Sequence, residues 1–144
     1  MENFNGNIIS KLPATGTSIF AIMSGLANEY NAINLSQGFP DFPIDETLIK
    51  LVHENMLKGR NQYAPMPGIM PLREKISELF FDRYKVSYHP ESEITITAGA
   101  TQALYTAIEA FIRPGDEVIV FEPAYDSYGP AVRLQGGMVK YAQL

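Results

Sequence analysis

Hydrophobic residues fall at helical spacing in four stretches of the chain and at strand spacing in three others. Ile19, Ile22, Met23, Leu26, Ala27 and Tyr30 form one helical face, preceded by N-cap candidates in Thr15-Gly16-Thr17-Ser18. Leu48, Ile49, Val52 and Met56 form a second, with Asp45 placed to cap it and Gly59 near its end. Leu72, Ile76, Leu79 and Phe80 form a third, with Pro71 in the first turn, where a missing N–H costs nothing. Leu104, Ala107, Ile108 and Phe111 form the fourth, closed by Arg113-Pro114-Gly115-Asp116. Strands are predicted at Glu93–Thr97, where β-branched residues alternate, at Val118–Phe121 and at Met138–Leu144, after the Gly136-Gly137 break.

Strand, Gly-containing turn, helix and strand from residue 93 to 121 predict a βαβ unit with a parallel sheet. Its ligand site is expected at the carboxyl ends of the strands, at Gly99 to Thr101 and Glu122 to Tyr125. The first ninety residues are helices and proline-braced loops, such as Asn34–Pro43 and Asn61–Gly68, behind a polar arm over Met1–Leu12. The fold class is therefore α/β. The third strand would end the chain with unpaired backbone groups. The 144 residues are thus expected to be the N-terminal part of a longer polypeptide, unstable or self-associating alone.

Composition narrows the chemistry. Sixteen acidic against 11 basic residues, with no basic run, argue against a nucleic-acid or anionic membrane surface. The absence of cysteine removes disulfides, cysteine zinc sites and thiol nucleophiles. No signal peptide or membrane span is legible, so a cytoplasmic location is expected and the Asn34-Leu35-Ser36 sequon is read as chance. Neither His53 nor His89 joins a catalytic set, no metal-spaced cluster emerges, and no lysine has a pocket that would make it a nucleophile.

The turn Gly99-Ala100-Thr101 places backbone N–H groups and a positive helix end at one spot, where a phosphate would fit. The Thr101 hydroxyl can donate to a phosphate oxygen or cap its own helix. The dinucleotide and P-loop glycine patterns are both missing. Tyr125 can lie flat on a heterocycle, or with Tyr128 cover the edge of the core. Gly38 can present its N–H to a carboxylate or simply allow the turn. Tyr63 by itself reads as an anchor of its loop rather than a ligand contact.

Four ordered motifs, Leu35-Ser36-Gln37-Gly38-Phe39-Pro40-Asp41-Phe42, Asn61-Gln62-Tyr63, Thr97–Leu104 and Glu122–Tyr128, resemble the fold-type I pyridoxal-phosphate-dependent aminotransferases of class I/II. The likeness covers nearly the whole chain and is greatest to the methionine and kynurenine aminotransferase branch. It implies an N-terminal helical segment plus the first βαβ units of the large transferase domain, with residues 1–45 belonging to the small domain and 46–144 opening the large one. It also implies pyridoxal 5'-phosphate held by Gly99, Ala100 and Thr101, with Tyr125 stacked on its ring and Tyr63 reaching the phosphate in a neighbouring subunit of a homodimer. Gly38 would bind the substrate carboxylate, and Ile19 and Phe20 would line the substrate pocket. Substrates would be apolar, aromatic or sulfur-containing amino acids, with a 2-oxo acid as acceptor.

By the same resemblance, the lysine that holds the cofactor, the aspartate at the pyridine nitrogen and the carboxylate-binding arginine follow in sequence after Leu144. These residues alone would then not transaminate, and none is nominated as catalytic. Two rival readings are a phosphometabolite-binding module without chemistry and a carbon–sulfur lyase of the same fold.

Overall fold

Seven elements follow one another along the chain: α1 (Ile19–Glu29), α2 (Glu46–Leu57), α3 (Met70–Tyr84), α4 (Ala100–Phe111), β1 (Glu117–Glu122), α5 (Tyr128–Leu134) and β2 (Met138–Gln143). The computed structural model describes Gly6, residues 9–38 and residues 40–144. Most of the expected arm over 1–12, and Phe39 of the Gln37-Gly38-Phe39 motif, lie outside the described residues. The chain forms two compact units, Met1–Gly38 with Gly99–Leu144, and Phe39–Ala98.

In the first unit β1 and β2 pair in parallel, with Glu117 opposite Met138 and Glu122 opposite Gln143. Parallel strands cannot be joined by a tight hairpin, and α5 supplies the crossover. The pairing continues past both ends, through Met138 N–H donating to Asp116 O at 2.7 Å and Leu144 N–H donating to Glu122 O at 3.2 Å. Helix α5 packs on both strands and on α4. Val120, Ala131 and Val132 are the buried apolar residues among those described. Gly137 is pressed into this core: a Cβ there would lie 2.7 Å from Ile112 Cγ2 and 2.8 Å from Val132 Cγ1.

Helix α1 starts where Ser18 Oγ accepts the Ala21 N–H at 3.3 Å. In the second unit Asp45 Oδ1 accepts the Thr47 N–H at 2.8 Å and so caps α2. Pro71 occupies the first turn of α3, which ends at Lys85 in the left-handed region with φ 57°. Arg73 is the buried charged residue of this unit. Its Nη1 donates to Pro90 O at 3.0 Å and Glu91 O at 3.2 Å, while Ser77 Oγ donates to Tyr88 O at 2.5 Å. Phe80 meets the Tyr88 ring edge-on at 5.4 Å. The segment 88–91 is thereby latched along α3.

Two expectations need correction. Residues 93–97 form no strand: they join no ladder, and Ile96 N–H donates to Pro67 O at 3.0 Å. Alternating β-branched residues report fitness for a pleated surface, and a strand exists only where a neighbour pairs with it. The βαβ unit is consequently β1–α5–β2, in which α5 is a helix that the sequence pattern does not predict. The helical apolar faces are present and largely uncovered, with Leu48, Ile49, Val52 and Met56 each more than half exposed and Phe111 79% exposed. β1 is apolar on both faces, yet Val120 is buried while Ile119 and Phe121 are exposed. A continuous apolar run is the pattern of a strand covered on both sides.

Candidate cofactor and substrate site

The α4 N-terminus is built by Gly99, which adopts φ 89° and ψ 166°, a conformation an L side chain enters only with strain. A Cβ built on Gly99 would meet nothing within 4 Å, so the backbone conformation, and not crowding, requires glycine. The helix carries no side-chain cap hydrogen bond. Ala100 and Thr101 are the first two helical residues, whose N–H groups have no intrahelical acceptor and lie at the positive end of a twelve-residue helix. These features fit a phosphate group.

Tyr125 follows the carboxyl end of β1, after the cis Glu122–Pro123 peptide. Its ring lies 5.9 Å from that of Phe20, inclined by 32°, and 6.0 Å from that of Tyr128. A cavity of about 600 Å³ is lined by Ser18, Ile19, Tyr125, Ser127, Arg133 and Tyr141, among others. A second, of about 200 Å³, is lined by Thr101, Leu104, Ser127 and Tyr128. Ser127 thus lines both the cavity walled by Tyr125 and Ile19 and the groove along the α4 face that begins at Thr101. The structure brings Tyr125, Ile19 and Phe20 together, with Thr101 in the same compact unit on a second cavity that shares Ser127.

Gly38 belongs to the same unit, at the end of a loop tied to α1. Asn34 makes that tie: its Nδ2 donates to Ser24 Oγ at 3.0 Å, and its Oδ1 accepts from Ser36 N–H at 3.0 Å and Ser36 Oγ at 2.6 Å. This is an Asx turn. It gives Asn34-Leu35-Ser36 a structural role where the sequence offered only a glycosylation pattern, and Asn two residues before Ser was the legible sign. Ser127 was missed as well, because α5 was not anticipated. Tyr63 lies in the other unit and its side chain is fully exposed.

His53, His89, Lys50, Lys58, Lys75 and Lys85 belong to the unit Phe39–Ala98. His89 Nδ1 lies 3.3 Å from Ser92 Oγ and His53 is exposed. Lys50, Lys58, Lys75 and Lys140 are exposed partners of Glu46, Glu54, Glu78 and Glu117, at 3.8, 3.8, 2.6 and 2.9 Å.

Comparison with known proteins decides the family. Residues 30–144 match the family described as aminotransferase class I and II. The chain belongs to that family. It is 53% identical over 131 residues to the methionine aminotransferase of Escherichia coli, covering 91% of this chain and 34% of that protein. It is 34% identical over 122 residues to human kynurenine–oxoglutarate transaminase 1, covering 83% of this chain and 29% of that protein. A solved methionine aminotransferase structure from Escherichia coli superposes with a TM-score of 0.90 at 51% identity, over 96% of this chain and 36% of that one. The N-succinyldiaminopimelate aminotransferase structure from Mycobacterium tuberculosis gives a TM-score of 0.88 at 38% identity, over 96% and 36%. The chain therefore spans about a third of the length of the relatives it matches. Class I and II aminotransferases are generally pyridoxal-phosphate-dependent. Among the described residues, no helix is long and apolar enough to cross a membrane.

Proposed function

We propose that the protein carrying these residues is a pyridoxal-phosphate-dependent aminotransferase. It would move an amino group from an apolar, aromatic or sulfur-containing amino acid to a 2-oxo acid. The observation that carries the reading is the glycine-started α4 N-terminus in one compact unit with the Tyr125 wall, Ser127 lining both the Tyr125 cavity and the groove that begins at Thr101, in a chain of this family.

When bound, pyridoxal phosphate supplies the electron sink for the reaction. In this reading the N–H groups of Ala100 and Thr101 bind the phosphate, Gly99 keeps the backbone close, and Tyr125 holds the ring by stacking. Gly38 N–H binds the substrate carboxylate. Ile19 and Phe20 form the apolar wall that favours uncharged side chains and keeps water from the reacting atoms. Tyr63 donates to the cofactor phosphate of a second subunit, a role that its full exposure permits. Residues 1–45 contribute to the small domain and 46–144 to the large one. No lysine of the chain is assigned a catalytic role, and a cytoplasmic homodimer is the proposed working form.

The test uses the full natural polypeptide. Titration with pyridoxal phosphate should give a bound-cofactor absorbance that changes on adding methionine or phenylalanine, with the corresponding 2-oxo acid released. A protein that leaves the cofactor spectrum unaltered would overturn the reading. Release of ammonia and pyruvate in place of amino transfer would point to the lyase.

A further inference from the structure

The loop that displays Tyr63 is pinned at both ends, entirely within the unit Phe39–Ala98. At its start, Arg60 N–H donates to Asn55 O at 3.0 Å and Arg60 Nη1 donates to Asn55 Oδ1 at 3.2 Å. Asn55 Nδ2 in turn donates to Leu51 O at 2.7 Å, so this end is fastened to α2. At the other end, Gly68 N–H donates to Pro65 O at 2.8 Å and Ile96 N–H donates to Pro67 O at 3.0 Å. Pro65 and Pro67 have their φ angles preset by their rings.

Gly68 is the tightest point. It is buried, adopts φ 94°, and a Cβ on it would lie 2.8 Å from Ile96 Cβ and closer still to Ile96 Cγ1. The Ile96 side chain therefore rests directly on the Gly68 backbone. The segment leading to Ile96 is held in its turn by Arg73 and Ser77 of α3. Between these fixed ends Tyr63 projects fully exposed, and it makes no hydrogen bond among the described residues.

A loop braced this way around an exposed phenol has already lost most of the freedom that binding would cost it. We propose that Gly68, pressed against Ile96, is a positioning residue that holds Tyr63 ready for the cofactor phosphate in a second copy of the chain. The proposal rests on the role given to Tyr63 above. Gly68 acts through Tyr63 and touches no ligand itself. Adding a methyl group at Gly68 both strains the backbone and displaces Ile96, so the pinned end of the loop must move.

The experiment measures pyridoxal phosphate and pyridoxal affinities for the full natural polypeptide and for Gly68→Ala, Tyr63→Phe and the double variant. Each single change should weaken pyridoxal phosphate binding about tenfold, and the double variant should be within about twofold of Tyr63→Phe, since residues acting as a unit are not additive. Pyridoxal, which lacks the phosphate, should bind all four proteins equally. Losses that multiply in the double variant, an equal loss for pyridoxal, or undiminished phosphate-dependent affinity in Gly68→Ala would each overturn the proposal. Should Gly68→Ala not fold, Ile96→Ala removes the Cγ1 and Cγ2 atoms that rest on Gly68 without adding an atom, and the same pattern with Tyr63→Phe is required. If the unaltered protein binds no pyridoxal phosphate, the cofactor reading itself fails; if it binds and the losses multiply, only the positioning role of Gly68 does.

Discussion

The ring of Phe20, on the first turn of α1, lies 5.9 Å from the ring of Tyr125, which follows β1 a hundred residues later in the chain. Phe20 is half-buried and Tyr125 is 49% exposed, so Phe20 supports one side of Tyr125 while much of the tyrosine stays open to a ligand. Tyr125→Ala should weaken pyridoxal phosphate binding about tenfold, the range expected for loss of one aromatic contact. Tyr125→Phe should stay within about twofold, because stacking uses the ring face. Fluorescence titration of the cofactor checks both.

Arg73 is 6% exposed and spans two carbonyls that no other side chain is seen to serve. Its Nε is buried without a hydrogen-bond partner among the described residues. Arg73→Ala should destabilise the protein by about 3 kcal/mol, since Pro90 O and Glu91 O lose charged donors inside a partly dry contact. Arg73→Lys should recover only part of this, because an ammonium lacks the planar fork that reaches both oxygens. Urea unfolding midpoints would give the comparison.

Gly137 and Val132 share one small volume beside Ile112. Gly137→Ala should cost about 2 kcal/mol by overpacking, and Val132→Ala about 2 kcal/mol by opening a cavity at a residue only 1% exposed. Combined, they should cost clearly less than their sum, because the new methyl enters the space that Val132 gives up. An additive double variant in chemical denaturation would contradict this packing.

Asp45 has its carboxyl held below the usual value, chiefly by the hydrogen bonds it accepts from Thr47. A depressed folded-state pKa means stability present above the unfolded value of 3.8 and lost as the pH falls through the lower, folded value. Asp45→Ala should therefore lower the melting temperature at pH 7, and its difference from the unaltered protein should shrink below pH 3.8 as the carboxylate protonates. Asp45→Asn should keep part of the cap throughout. Melting curves across pH 2 to 7, a range of about five units spanning both states, decide it.

Much of the helical structure was written in local pattern. Ser18 and Asp45 cap α1 and α2, Pro71 opens α3, and the face from Leu104 to Phe111 runs along α4, because capping and 3.6-residue periodicity act within a few residues. The turn at Gly99 and the placement of Tyr125 beyond β1 were legible for the same reason. α5 was not: it has seven residues with Gly129 and Pro130 in its first turn, so it shows little periodicity and a strong turn signature.

By itself, then, the sequence determined helices α1 to α4, the glycine-started helix N-terminus at Gly99 to Thr101 and the four motifs that mark the family. Tertiary structure alone decided that residues 93–97 form no strand, that β1 and β2 pair across α5, and that Phe20 and Ser127 stand beside Tyr125. The reason is physical: propensity and capping are properties of neighbours in the chain. Pairing, burial and the walls of a site depend on which distant segment supplies the other half of each contact.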